Sequence, residues 1–401
     1  MSPPAGGAGT EAEAAGSIWQ ASAATVEPMI AGLPRRCEVL VVGGGITGAS
    51  LLLNLAARDV DVRLVERGRL ACGASGRNAG FILTGLADNY AVAVRRMGRR
   101  VAGEAWSFSR ANGEMLAAAL QGRAGHSRRG SCTLATSSAE ADELEESATL
   151  LGEDGFEVTF SRDLDGSLGG YHAALLTPGD AEVDPVATVR ALAAGHADRI
   201  SEQLNVTAVE ASGSAVRVDT SAGECIADTV ILATNAGTSA LLPDVDIVPM
   251  RGQMLATEAV PTHIAERPVY ADRGYRYWRQ LGDGRLILGG CRDRAVAEES
   301  TDRESISETI QGHLDAELQR LGVSAPVTHR WAGIMGFTPD HLPLVGAVSG
   351  HTGVFVCGGY SGHGMGFAVH ATRVLCDHIV AGASIPEWMS AQRVRQRASA
   401  G

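Results

Sequence analysis

Lysine is absent. All 34 basic residues of the 401 are arginine. Pyridoxal Schiff-base chemistry, a phosphate-loop NTPase and a protein kinase each need a lysine in a named role, so all three are excluded. Codon bias in a GC-rich genome, which also fits the excess of Ala, Gly and Arg, explains the absence most simply. A basic excess is missing too. With 46 acidic side chains the formal charge is −12, which argues against phosphate-gripping nucleic-acid binders and polybasic membrane-surface proteins. No apolar run reaches the ~18 residues of a spanning helix, so no membrane span is expected. Met1 to Ala15 offers neither a basic n-region nor an apolar h-region, so no secretory leader is expected. The seven cysteines are odd in number, scattered and without a Cys-x-x-Cys pair. They read as reduced thiols in a cytoplasm, with no zinc or other metal site expected.

What is present is ample apolar content, 45% hydrophobic against 20% charged, enough for one large or two to three ordinary domains. Residues 1–17 read as a flexible tail and 18–35 as an irregular arm that lays Ile18, Trp19 and Met29 on the body. A Val-rich run, Cys37 to Val42, predicts a strand buried on both faces. It ends in Gly43-Gly-Gly-Ile-Thr-Gly48, and Ala49 to Arg58 then shows helical spacing. Val60–Glu66 alternates as a second strand, completing a βαβ unit. Further helices are expected over Arg95–Leu120, Ala139–Leu151, Ser305–Leu321 and Phe367–Val380. Strands are expected over Val206–Ala211, Ala215–Thr220, Thr229–Ala233, Pro249–Leu255 and Gly353–Cys357, and as a hairpin over Tyr275–Gly290 turning at Gly282-Asp-Gly284.

Gly43-x-Gly45-x-x-Gly48 stands after a strand and at the mouth of a helix, where a dinucleotide pyrophosphate is bound. The three glycines permit the tight turn, the close approach of a phosphate and close helix–strand packing. Glu66, 21 residues after Gly45, would accept hydrogen bonds from ribose hydroxyls. The motif alone leaves NAD and FAD open. Two further glycine-rich stretches favour FAD. Arg67 to Gly80 reads as a wrap over a second half of a large cofactor. Cys357 to Gly366 holds five glycines between a strand and a helix, putting another helix N-terminus beside an anion-forming flavin edge.

Taken together, Val41-Val-Gly-Gly-Gly-Ile-Thr-Gly48, Gly73-Ala-Ser-Gly-Arg-Asn-Ala-Gly80, Trp331 to Gly346 and Cys357-Gly-Gly-Tyr-Ser-Gly-His-Gly364 resemble the D-amino acid oxidase superfamily. Within it the likeness is to the branch of glycine, sarcosine and γ-glutamylputrescine oxidases. The resemblance implies an α/β plus α+β architecture, a Rossmann-type FAD-binding domain interleaved with a mixed-sheet substrate domain. The FAD domain would comprise 36–105, 181–237 and 326–385, and the substrate domain 106–180 and 238–325, with a tail over 386–401. Gly43, Gly45, Ile46, Thr47, Gly48, Glu66 and Arg67 would hold the ADP half. Ser75, Gly76, Arg77, Asn78 and Gly80 would follow the ribityl chain and flavin. Val206, Ala233 and Gly333 would pass close to the cofactor, and Gly362, His363, Gly364 and Met365 would border the flavin's pyrimidine edge.

The departures bear on chemistry. Relatives that tether FAD do so through a Cys near Trp-Ala-Gly or a His after the second strand. Ala332, Gly333 and Arg77 stand there, so FAD should be noncovalent. The arginine that pairs with substrate carboxylate in glycine oxidase corresponds to Met335, and the lysine of sarcosine oxidase to Gly366. Arg276 and Arg251 are possible replacements, although either also reads as a structural or solvated arginine. Tyr275, Tyr277, Trp278 and Met254 are candidate walls over the flavin, and Tyr275, Tyr277, Arg276, Met335 and His363 are the candidate catalytic residues. Without lysine, reaction with oxygen would need another cation, His363 or an arginine. The reaction expected is oxidation of a C–N bond of a small amine or amino acid, with oxygen or another electron acceptor. A dehydrogenase feeding a quinone or carrier protein, and a flavin-binding assembly factor with little turnover, are the alternatives.

Overall fold

The computed structural model describes residues 11–13, 16–23, 26–164, 168 and 170–393. The Val-rich run forms the strand Arg36–Val42, parallel to Val62–Val65 on one side and to Gly223–Leu232 on the other. Neighbours cover both faces, and Leu40 and Val41 are fully buried. The sheet around it has eight strands. Its order runs Val206–Ser212, Ala215–Thr220, Gly223–Leu232, Arg36–Val42, Val62–Val65, Ile200–Ser201. Val354–Gly358 joins the upper half of Gly223–Leu232, and Leu344–Ala347 pairs outside it. The helix Ile46–Ala56 packs against Gly364–Ala381, which also meets the long helix Arg99–Leu120.

A second eight-stranded sheet runs in the order Val327–Phe337, Val248–Ala259, Arg285–Gly290, Arg276–Gln280, Val269–Ala271, Ser131–Ala135, Ala173–Thr177, Thr159–Ser161. It is mixed, because Val269–Ala271 lies parallel to Ser131–Ala135 while its other pairs are antiparallel. The helix Glu308–Arg320 covers one face. The other face borders the site.

Several elements differ from expectation, each for a local reason. The helix expected over 95–120 is two, Tyr90–Met97 and Arg99–Leu120, broken at Gly98, whose φ of 83° no right-handed helix accepts. Ser305–Leu321 divides into the strand Ser305–Ser307 and the helix Glu308–Arg320, and Ser307 caps that helix by accepting from the Ile310 N–H. The strand Ser305–Ser307 pairs with Glu11–Glu13, residues read as part of a flexible tail; the rest of that tail up to 15 lies outside the described residues. The irregular arm contains a helix, Ile18–Ser22, fixed by a capping box between Ser17 and Gln20. The expected C-terminal tail is anchored at its start. Trp388 sits edge-on to Phe108 with centroids 5.5 Å apart, Met389 is fully buried, and Arg393 donates to Asp340 and to the Pro343 carbonyl. Residues 394–401 lie outside the described residues.

Candidate active site

The two sheets meet at a cavity of about 900 Å³. At one end it is floored by the glycine turn. Gly43 has φ 110°, and a Cβ there would stand 2.7 Å from the Ala233 carbonyl oxygen; a Cβ on Gly48 would stand 1.8 Å from the Gly43 oxygen. These two glycines are required by backbone against backbone. The helix Ile46–Ala56 begins with Gly45 as an N-cap that has no side chain to cap it. Ser75 Oγ accepts from the Ile46 N–H at 2.9 Å, so the loop 73–78 is pinned to the helix mouth. The other N–H groups of a first turn need an external acceptor, which a pyrophosphate supplies. Glu66 braces the turn: its Oε2 accepts from Gly44 N at 2.6 Å, and its Oε1 from Gly68 N at 2.8 Å and Cys72 Sγ at 3.2 Å. Oε2 keeps a lone pair for a ribose hydroxyl. Burial and the Glu66 charge push the Cys72 thiol up to about 12, so it stays protonated.

The N-terminal arm clamps this loop. Trp19 Nε1 donates to the Asn78 carbonyl at 2.9 Å, Gln20 Nε2 to those of Ala71 and Cys72 at 2.9 and 2.8 Å, and Ser17 Oγ to that of Gly76. Arg77 reaches across to the second sheet, donating to the Ala332 carbonyl at 2.9 Å and pairing with Glu304 at 3.2 Å. A Cβ on Gly333 would lie 2.9 Å from the Arg77 Cβ, which is why glycine stands there. Asn78 turns inward, accepting from Gly80 N and donating to the Ala74 and Ser75 carbonyls.

The far end of the cavity is built by strand register. Trp331, Met254, Gly289, Tyr277 and Tyr270 lie side by side across five neighbouring strands, so they share one face. Two residues along, Gly252 pairs with Gly333, and beyond them Met250 pairs with Met335. Glycine at 252, 289 and 333 hollows that face. The Tyr277 ring fills the space over Gly289, and Met335 lies over Gly252 and reaches towards Gly362. Tyr270 stacks on Tyr277 with centroids 5.7 Å apart and meets His363 at 6.1 Å, while Phe81 closes the group against both tyrosines. Burial raises the hydroxyl of Tyr270 to about 12 and that of Tyr277 further, so both are neutral.

His363 precedes the helix Gly364–Ala381, whose N-terminus likewise carries no side-chain cap. Its Nδ1 is buried without a partner of normal geometry. Burial and the Arg292 charge pull it down to about 4, only slightly opposed by the Ser361 backbone. The direction of that shift favours the neutral imidazole at neutral pH.

Of the residues expected in the cofactor site, Gly43, Gly45, Ile46, Thr47, Glu66, Arg67, Ser75, Arg77, Asn78, Val206, Ala233, Gly333, Gly362, His363, Gly364 and Met365 line this cavity. Gly48, Gly76 and Gly80 stand behind the wall, where carbonyls of Gly43, Ala71 and Val183 leave no room for a Cβ. Tyr277, Met335 and Met254 line the chamber. Arg276, Tyr275 and Trp278 do not. Arg276 and Trp278 project from the opposite face of their strand, Arg276 towards Asp272 and Glu317. Arg251 is likewise on the far face, fully buried against Glu299. Tyr270 and Arg292 line the chamber and were not foreseen. Tyr270 sits in a three-residue strand too short to show alternation, and Arg292 opens an Arg-Asp-Arg run that reads as a solvated turn.

Two uncapped helix N-termini, a glycine cradle and a braced acid, all on one continuous cavity, fit an extended flavin dinucleotide. The chain is 28% identical to a probable oxidoreductase, OrdL, of Rhizobium meliloti, over 90% of this chain and 88% of that one. It is also 28% identical to a γ-glutamylputrescine oxidoreductase of Escherichia coli, over 85% of this chain and 83% of the other. The fold superposes on the crystal structure of glycine oxidase from Geobacillus kaustophilus with a TM-score of 0.73, at 24% identity, covering 86% of this chain and 94% of that one. Residues 38–378 match the family described as FAD dependent oxidoreductase, so the chain belongs to that family and FAD is its cofactor.

Proposed function

We propose that this protein oxidises a C–N bond of an amine or amino acid, the imine being hydrolysed afterwards, with oxygen as the final acceptor. Bound FAD supplies the two-electron acceptor. The observation that carries the reading is the chamber at Tyr270, Tyr277, Met254 and Met335, which adjoins the dinucleotide cradle and, among the described residues, holds no carboxylate to stabilise an ammonium. The cavity's carboxylates are engaged elsewhere or open to water: Glu66 in the glycine turn, Glu304 on Arg77, and Asp302 exposed. Desolvation between the tyrosines favours the neutral amine. Its nitrogen lone pair would form the C=N bond as carbon gives up its hydride to the two-electron acceptor, and the N–H proton is lost once the iminium product reaches solvent. The tyrosines, held neutral, orient the substrate and exclude water.

The cofactor is held noncovalently in this reading. Cys72, the one thiol among the lining residues, stands at the adenosine end and is bonded to Glu66. Hot urea should release free yellow FAD, and colour remaining on the polypeptide refutes the noncovalent assignment. All seven cysteines are free thiols, which supports a cytoplasmic setting. Anaerobic mixing with a panel of amines, N-methyl amino acids and D- and L-amino acids should bleach the flavin with at least one of them. No bleaching by any of them overturns the proposal. With His363 neutral and lysine absent, the acceptor needs its own test. Peroxide formed in air supports oxygen; reduced flavin that persists in air and is reoxidised by a quinone assigns a dehydrogenase.

A further inference from the structure

The Arg292 guanidinium lies 4.6 Å from the Tyr275 ring centroid and 5.5 Å from that of Phe337. Arg292 lines the chamber, yet no carboxylate comes within ion-pair distance of it among the described residues. Its neighbour Asp293 is turned to Arg294 at 3.1 Å. The other chamber arginine, Arg273, is engaged by Glu143 at 3.4 Å. Arg276 and Arg251 are paired on the far face of the sheet. A planar guanidinium stacked on two rings, its edge unclaimed, is set in one orientation with little rotamer freedom left to lose.

We infer that Arg292 is the anion clamp of the chamber and that the substrate is therefore an amine bearing a carboxylate, gripped by a fork-to-fork pair with that residue. This rests on the C–N oxidation reading and narrows it, since simple alkylamines and uncharged diamines have nothing to offer the clamp. It also accounts for Met335. An anchor supplied by the turn after Arg285–Gly290 leaves the wall over Gly252 free to be apolar.

The test uses the FAD-loaded protein and a binding readout. Benzoate and its uncharged isostere benzamide are titrated while the flavin absorption spectrum is followed. Wild type should respond to benzoate and not to benzamide. Arg292→Met should weaken benzoate roughly 10- to 100-fold, and Arg292→Lys, which keeps the charge and loses the fork, should restore part of it. Both variants should keep their bound flavin, so a failure to fold is separated from a loss of the clamp. Equal affinity for benzoate and benzamide in wild type, or unchanged benzoate affinity in Arg292→Met, overturns the inference. Bleaching by carboxylate-free amines as fast as by amino acids also overturns it while leaving C–N oxidation intact. Benzoate binding that needs Arg292, with no amine or amino acid bleaching the flavin, removes the underlying reading and the substrate assignment with it.

Discussion

The two ends of the cavity are made differently. At the adenosine end the walls are largely main chain, and the determinants fall within two short runs, 43–48 and 66–78. At the chamber end the walls are side chains set side by side on five strands spread between residues 248 and 337. The first kind of site is specified by where a Cβ is forbidden. The second is specified by which alternate residues of a strand happen to face inward. A change should therefore act on folding and cofactor retention at one end and on turnover at the other.

Gly48→Ala is the severest way to test that division. Its Cβ would stand 1.8 Å from the Gly43 oxygen, and neither backbone segment yields without opening the βαβ unit. A loss of about 3 kcal/mol or more is expected, with purified protein that is colourless. Denaturant melts and absorbance at flavin wavelengths measure both, and a yellow protein of normal stability breaks the contrast. Gly289→Ala is the counterpart at the other end. Its Cβ would meet Tyr277 ring atoms at 2.5–2.7 Å, and the ring, unlike a backbone carbonyl, is able to tilt. FAD content should stay full while turnover falls roughly 10- to 100-fold, as a sub-ångström misplacement of the chamber wall allows. Flavin loss comparable to that of Gly48→Ala makes the two ends one structural unit.

The same division explains what was legible in the sequence. Strand, glycine turn, helix and acid are contiguous, so Gly43, Gly45 and Glu66 announce the cradle, and the loops 67–80 and 357–366 announce the flavin. Contiguous reading failed at the chamber. Arg276 and Tyr277 were both expected there, although neighbouring strand residues face opposite ways; alternation alone excludes one of them. Arg251 fails on the same ground beside Gly252. Tyr270 becomes visible only once Val269–Ala271 is seen to pair with Arg276–Gln280. Arg292 becomes visible only once its ring partners, one of them 45 residues on, are brought together. Pairing register is non-local, and the single sequence does not display it.

The finest contrast is between two titrating groups, the half-buried His363 and the buried Asp180, on either side of Leu83, the residue shared by the main cavity and a second one of about 350 Å³. His363 is pulled from 6.5 to about 4 by burial and Arg292. Between those values the unfolded chain binds the proton and the folded one does not, so this group makes stability rise with pH from about 4 to 6.5. Asp180 is raised from 3.8 to about 6 by burial, although its carboxylate accepts from Ser131 Oγ at 2.6 Å and from the Thr84 N–H at 2.9 Å. Here the folded state holds the proton, so stability falls as pH rises from 3.8 to about 6. The two slopes oppose each other across pH 4–6, each on the order of 1–3 kcal/mol over its range. Removing either group should expose the other. His363→Gln should lose stability with rising pH relative to wild type. Asp180→Asn, whose side-chain oxygen still accepts from Thr84, should gain stability with rising pH relative to wild type. Guanidinium melts at half-unit steps from pH 4 to 6.5 measure the differences. Two variants that shift in the same direction refute the opposition, because a shared sign cannot come from one group that is neutral by losing a proton and another that is neutral by keeping one.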